Sequence, residues 1–150
     1  QYKAQFKDKK YFSVLAALKD ANSAEFTADS QHLVIDLMPE QQGITAKGGT
    51  MRLGKYPCVL SPESRAYKYY GEGLIHERHR HRYEVNNDFR EDIVARGLLP
   101  VGLSPDGTLV EMVENPACRW FVAAQFHPEF KSRPNKPHPL FNGFVKAALE

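Results

Sequence analysis

Near the C-terminus, the run Gln125-Phe126-His127-Pro128-Glu129-Phe130 places an imidazole and a carboxylate two residues apart. In an extended segment, residues i and i+2 point the same way, and Pro128 between them stiffens the backbone. A carboxylate beside an imidazole fixes its tautomer and stabilises its protonated form. That is the base-and-orienter half of a nucleophilic triad, which takes a proton from an attacking group and returns it to a leaving group. The pattern His-Pro-Glu is short. Taken by itself it favours the plainer reading, a surface His and Glu at a strand end.

A second run, His76-Glu77-Arg78-His79-Arg80-His81-Arg82, alternates histidine with arginine. Three imidazoles could ligate a metal. The interleaved arginines would repel a cation, and no cysteine or carboxylate pattern completes a site, so no metal is expected. Arg78, Arg80, Arg82 and Arg90 could instead meet phosphates. No aromatic stacking platform stands beside them, and nucleic acid is not expected as a partner. The expected arrangement is a structural network pairing Glu77 and Glu84 with these arginines. The cysteines, Cys58 and Cys118, form no CxxC motif and no disulfide framework.

These groups must be carried by a mixture of helices and strands. Gln1 to Asp20 reads as a helix, with Tyr11, Phe12, Leu15, Ala16 and Leu18 on one face. Asp20 to Ser23 breaks it. Leu33 to Met38 is a short apolar strand and Gly43 to Gly49 a loop. Thr50 to Leu53 and Pro57 to Leu60 read as two short strands around a Gly-Lys turn. Ser64 to Tyr70 is a short helix closed by Gly71. Leu74 to Val85 alternates like one long strand. Asp88 to Arg96 is an amphipathic helix between Asn86-Asn87 and Gly97. Leu98 to Leu103 and Thr108 to Val113 flank the turn Ser104-Pro105-Asp106-Gly107, a strong hairpin signal. Trp120 to Phe126 reads as a buried strand, and Leu140 to Leu149 as a final helix. The class is α/β, and the hairpins argue against a purely parallel sheet.

The chain has 150 residues, of which 42% are hydrophobic. That suits one compact domain and is too short for two. No apolar run approaches membrane-spanning length, and no signal-peptide core follows the Lys-rich start. With few cysteines, a reducing, cytoplasmic location is expected. The net charge of +2 gives no argument for a polyanionic partner.

The segment from Trp120 to Pro134, which contains the His-Pro-Glu run, resembles the triad end of class I glutamine amidotransferases, in the version found in CTP synthase. Three other stretches are similar to segments of that family: Ala21-Asn22-Ser23-Ala24-Glu25-Phe26, Gly48-Gly49-Thr50-Met51-Arg52-Leu53-Gly54, and Glu77 through Asn86. Their order and spacing match from about Lys19 onward. The resemblance implies a partial class I amidotransferase domain over residues 1–150: a flavodoxin-like three-layer sheet with added β-hairpins, with residues 1–10 unplaced. It implies His127 as general base, Glu129 as its partner, and Glu25 and Arg82 as contacts to the substrate glutamine. It implies that the ammonia released passes to a synthetase domain, absent here, where ATP and Mg support conversion of UTP to CTP. No cofactor is expected in this chain. Family members are GTP-stimulated homo-oligomers, although no GTP site can be placed on these residues.

The chain departs from the family at the nucleophile, a cysteine in a tight G-x-C-x-G turn whose glycines allow the sharp backbone reversal. Pro57-Cys58-Val59 cannot form that elbow, and Cys118 follows Pro116-Ala117 before a strand. Phe12 to Asp20 resembles the end of the helix after the elbow; alternatively, Tyr11 to Leu18 corresponds to the domain's first helix. Three readings stay open: an enzyme fragment inactive alone, a non-catalytic glutamine-binding remnant, and a sequence that omits residues the protein contains. Without the family's parallel strands the sheet would expose apolar surface. Urea titration of this chain is therefore expected to give a broad transition with a small m-value; a sharp transition with a large m-value would show a self-sufficient domain.

Overall fold

A computed structural model of the chain describes residues 21–27, 29–37 and 52–150. The helix expected over Gln1 to Asp20 and the loop from Gly43 to Gly49 lie outside the described residues. Eight strands are described: β1 Ala21–Ser23, β2 His32–Leu37, β3 Arg52–Leu60, β4 Leu74–His81, β5 Tyr83–Val85, β6 Leu99–Leu103, β7 Val110–Glu114 and β8 Val122–Ala124. Three α-helices accompany them: α1 Arg65–Tyr70, α2 Arg90–Ala95 and α3 Pro139–Leu149. The mixed α/β class follows, with one small sheet in the order β1-β2-β5 and a larger one in the order β4-β3-β6-β7-β8. β1 and β2 are parallel, and every other pairing is antiparallel.

Two expected strand boundaries are corrected. Arg52 to Leu60 is one strand, not two around a turn, because β4 pairs with it from Arg52↔His81 to Val59↔Leu74. Within that unbroken ladder Gly54 takes a positive φ of 107°, which a glycine adopts without strain. Conversely, Leu74 to Val85 is two strands, because β4 pairs with β3 in the large sheet while β5 pairs with β2 in the small one. Arg82 is the residue between them. The strand expected from Trp120 to Phe126 shrinks to Val122–Ala124, an edge strand bonded to β7, with Phe121 and Ala123 exposed.

Local signals place the helices. The Ser64 side chain caps α1 by accepting from the Tyr67 N–H, and Gly71 closes it at φ 74°. From β7, the Glu114 carboxylate accepts the N–H groups of Arg65 at 3.0 Å and Ala66 at 2.7 Å, satisfying donors that a helix start leaves open. α3 begins at Pro139, with the His138 ring accepting from the Leu140 N–H at 3.3 Å. α1 and α3 cover one face of the large sheet. Between them lies the core of Cys58, Leu60, Ala66, Ile75, Val101, Met112, Phe126 and Leu140. On the outer side of α3, Phe144 is 58% exposed and Val145 54% exposed. Between the small sheet and α2 lies an apolar hollow of about 240 Å³ lined by residues including Val34, Ile35, Val85 and Ile93.

α3 meets Trp120 at Gly143, where an added Cβ would lie 2.2 Å from the indole Cη2. Alanine in a helix interior is favoured over glycine by about 1 kcal/mol, but overpacking costs about 1–3 kcal/mol. With a rigid ring so close, overpacking wins. Gly143→Ala is expected to destabilise the domain by roughly 1–2 kcal/mol, measured by denaturant midpoint; an unchanged or raised midpoint would show that Trp120 moves freely.

Candidate functional site

β8 ends at Ala124, and the chain turns through Gln125 and Phe126 into a 3-10 turn, Pro128–Phe130. Among the described strands β4 is the other edge of the large sheet, and its outward carbonyls receive this turn. The His127 N–H donates to Arg78 O at 2.9 Å, and Lys131 Nζ donates to His76 O at 2.7 Å. Lys131 also reaches the buried Glu77 carboxylate at 2.8 Å. His138 Nε2 and the Tyr70 hydroxyl meet the same oxygen at 3.2 and 3.0 Å. Burial alone would raise the Glu77 carboxyl, but the hydrogen bonds from His138 and Lys131 outweigh it and hold the group below its ordinary range.

On this turn, His127 Nδ1 and Glu129 Oε1 are 2.7 Å apart, with side chains 36% and 55% exposed. A carboxylate only accepts, so Nδ1 carries a proton, and in the neutral imidazole the lone pair is on Nε2. The bond from His127 lowers the Glu129 carboxyl. The Phe130 ring stacks on the imidazole at 5.0 Å between centroids.

Arg82 lies at the β4–β5 junction, half-buried, and its Nε has no hydrogen-bond partner among the described residues. Glu25 is exposed in the turn after β1, its N–H donating to Ser23 Oγ at 3.2 Å. The pairings Ser23↔Ile35 and Leu37↔Tyr83 put the end of β1 and the start of β5 at the same end of the small sheet. The structure thus brings His127 and Glu129 into contact. It puts Arg82 a few residues along β4 from the His127 anchor, and gives the Glu25 carboxylate no ion-pair partner among the described residues.

The polar strand β4 hides more chemistry than its sequence announced. Ile75, Glu77 and His79 point inward and are buried, His81 follows them half-buried, and His76, Arg78 and Arg80 are exposed. The expected pairing of Glu77 and Glu84 with Arg78, Arg80 and Arg82 is therefore corrected: strand alternation turns Arg78 and Arg80 away from the carboxylates. Glu77 takes Lys131 and His138 instead, and Glu84 takes Arg52, whose Nη1 is 3.6 Å from Glu84 Oε1 and 2.5 Å from Glu111 Oε1. Arg52 also stacks over Tyr56 at 4.5 Å. The signal available in sequence was the alternation itself; the partners Arg52 and Glu111 come from other strands.

His79 and His81 share a hydrogen bond of 2.8 Å. His81 Nδ1 lies 3.2 Å from Tyr83 O and donates to it, so His81 Nε2 accepts from His79 Nδ1–H. Burial, with Arg52 nearby, pushes His79 down to about 3 and His81 to about 4, so both are neutral. Burial raises Glu84 to about 7 and also raises Glu111. Ligand atoms of His79, His81 and Glu111 lie within 4.8 Å of one another. The carboxylate missing from the sequence pattern is thus supplied by β7, but the Arg52 guanidinium is the cation that already sits on it. The cation-repelling group is Arg52, not the outward Arg78 and Arg80.

Neither cysteine is arranged as a nucleophile. Cys58 is fully buried, and burial, reinforced by Glu111 and Glu77, raises its thiol to about 12. Cys118 lies in the turn whose carbonyls hold the Arg65 guanidinium, its own at 2.8 Å.

The family described as glutamine amidotransferase class-I matches residues 21–147. The chain is 60% identical to the CTP synthase of Carboxydothermus hydrogenoformans over 136 residues, which are 91% of this chain and 25% of that protein. It is 59% identical to the CTP synthase of Moorella thermoacetica over 134 residues, covering 89% of this chain and 25% of that protein. It therefore spans about a quarter of the length of these curated relatives. Among solved structures it is similar to the glutaminase domain of Trypanosoma brucei CTPS with bound acivicin, with a TM-score of 0.82 and 38% identity, covering 90% of this chain and 53% of that one.

The raised Glu84 carboxyl has a measurable consequence. The folded protein keeps this proton up to about 7, whereas the unfolded chain releases it near 4.5. Between these values the folded state binds more protons, so Glu84 favours folding below 4.5 and this contribution is lost as pH rises through 7. Glu84→Gln removes the titration. Calorimetry at pH 5 and pH 8 is expected to show the variant's Tm rising relative to the unaltered protein at the higher pH; a constant difference would mean that Glu84 titrates normally.

Proposed function

The chain belongs to the class I glutamine amidotransferase family, and from that footing we propose that it is the glutaminase portion of a CTP synthase. It would hydrolyse glutamine to glutamate and supply the ammonia for ATP-dependent conversion of UTP to CTP. The observation that carries this reading is the His127–Glu129 contact at 2.7 Å, which leaves Nε2 without a hydrogen-bond partner among the described residues. Such an imidazole takes a proton from a thiol and gives it to leaving ammonia.

In this reading a cysteine supplied by residues outside this sequence attacks the side-chain amide carbon of glutamine. The C–N bond breaks, His127 protonates the departing ammonia, and a thioester remains. His127 then removes a proton from water, which attacks the thioester, releases glutamate and regenerates the thiol. Glu129 holds the imidazole in the required tautomer and stabilises its charged form. The half-buried Arg82 guanidinium receives the substrate α-carboxylate, and the exposed Glu25 carboxylate receives its α-ammonium. The ammonia passes to a synthetase domain of the longer chain, which holds ATP and Mg; the whole enzyme is a cytoplasmic homo-oligomer.

The test uses the complete enzyme carrying this domain. His127→Ala is expected to lower glutamine-dependent CTP formation by about 10²–10⁴, with formation from added ammonium chloride unchanged. Loss of both activities, or of neither, would contradict the role given to His127. Glutamine binding without ammonia release by the unaltered enzyme would instead mark a non-catalytic glutamine-binding remnant.

A further inference from the structure

Arg82 and His127 both lie outside strands, and one main-chain bond, from the His127 N–H to Arg78 O at 2.9 Å, ties the His127 turn to β4 four residues before Arg82. Arg82 is the lone residue between β4 and β5, at a point where the chain leaves one sheet for another. His127 lies in the turn beyond an edge strand. A buried side chain supplies a second link, from the other side of Arg82. Glu84, two residues after Arg82, is 4% exposed, and its Oε2 accepts from Gln125 Nε2 at 3.0 Å. Gln125 stands two residues before His127, and its N–H donates to Glu111 O at 2.9 Å. Glu84 Oε1 faces Arg52, which is itself anchored on Glu111 and stacked on Tyr56.

Stability does not explain this arrangement. Two buried carboxylates share one guanidinium, and burial of such groups is commonly neutral or unfavourable compared with apolar packing. The cluster instead has the geometry of a fixed spacer: Glu84 stands two residues after Arg82, and Gln125 two residues before His127.

We propose that Glu84 is a positioning residue, which, held by Arg52 and bonded to Gln125, sets the span between Arg82 and His127. Resting on the glutaminase reading, that span is the distance between the site of the glutamine α-carboxylate and the base acting on its side-chain amide. A glutamine molecule must satisfy both ends at once, so loosening the spacer weakens productive binding rather than the chemistry of the imidazole.

The experiment compares Glu84→Gln, Gln125→Ala and the double variant in the complete enzyme. Each single change is expected to raise the KM for glutamine by roughly tenfold or more, since misplacement by about 1 Å can cost about 10²-fold. CTP formation from ammonia should stay within about twofold, as it bypasses the spacer. The double variant should be no worse than the worse single, because Glu84→Gln releases the spacer from Arg52, Gln125→Ala releases it at its other end, and either break frees the same span. A purely structural role would move Tm and leave KM alone. Unchanged KM in both singles, or additive losses in the double, would overturn the proposal. If Glu84→Gln does not fold, Gln125→Ala, at a half-buried neutral group, carries the same KM test. Glutamate release or glutamine binding by the unaltered enzyme scores the glutaminase reading separately, and where it binds without turnover the comparison is read in the Kd.

Discussion

The guanidinium of Arg52 lies between two buried carboxylates, and much of the described structure is arranged around that sharing. Arg52 starts β3, Glu111 lies in β7 and Glu84 in β5, so one side chain ties together three strands from two sheets. Charges so deeply placed lose their hydration and persist only with close partners. That constraint propagates outward. Neutral His79 and His81 fill the space beside the ion cluster, since burial disfavours a charged imidazole there and Arg52 would repel it. Gln125 donates to Glu84, and Glu111 O holds the Gln125 backbone.

The second organising feature is the edge of β4 that no other described strand pairs. An unpaired edge offers carbonyls to whatever can donate, and here the donors come from the segment carrying His127. The His127 N–H and Lys131 Nζ fall on carbonyls two residues apart, Arg78 and His76, and Lys131 continues to Glu77. An exposed dyad on a 3-10 turn with no side-chain cap would otherwise have little to hold it. Its rigidity comes from the edge beneath it, while its chemistry faces outward.

How much was legible in the sequence follows from range. The contact of His127 with Glu129 could be read because only one residue separates them. Ser64 and Gly71 bracketed α1 correctly because caps are local, and so did the Ser104–Gly107 turn of the β6–β7 hairpin. Leu74 to His81 was legible as a strand, but periodicity does not say which face is inside, and the polar residues on both faces left the buried carboxylates assigned to the wrong arginines. Arg52, Glu84 and Glu111 belong to β3, β5 and β7, segments far apart in the chain, and only the tertiary fold reveals them as one cluster. The split at Arg82 was hidden for the same reason, because sheet membership is set by distant partners.

The central claim is that this domain supplies the base and substrate-orienting half of a glutaminase, with the thiol supplied by residues outside this sequence. The most direct measurement is to treat the complete enzyme with a chloroketone analogue of glutamine and map the alkylated residue by peptide mass spectrometry. The account predicts a single labelled cysteine that is neither Cys58 nor Cys118, protected by glutamine and no longer labelled efficiently in His127→Ala. Glutamine-protected labelling of Cys58 or Cys118 would contradict it.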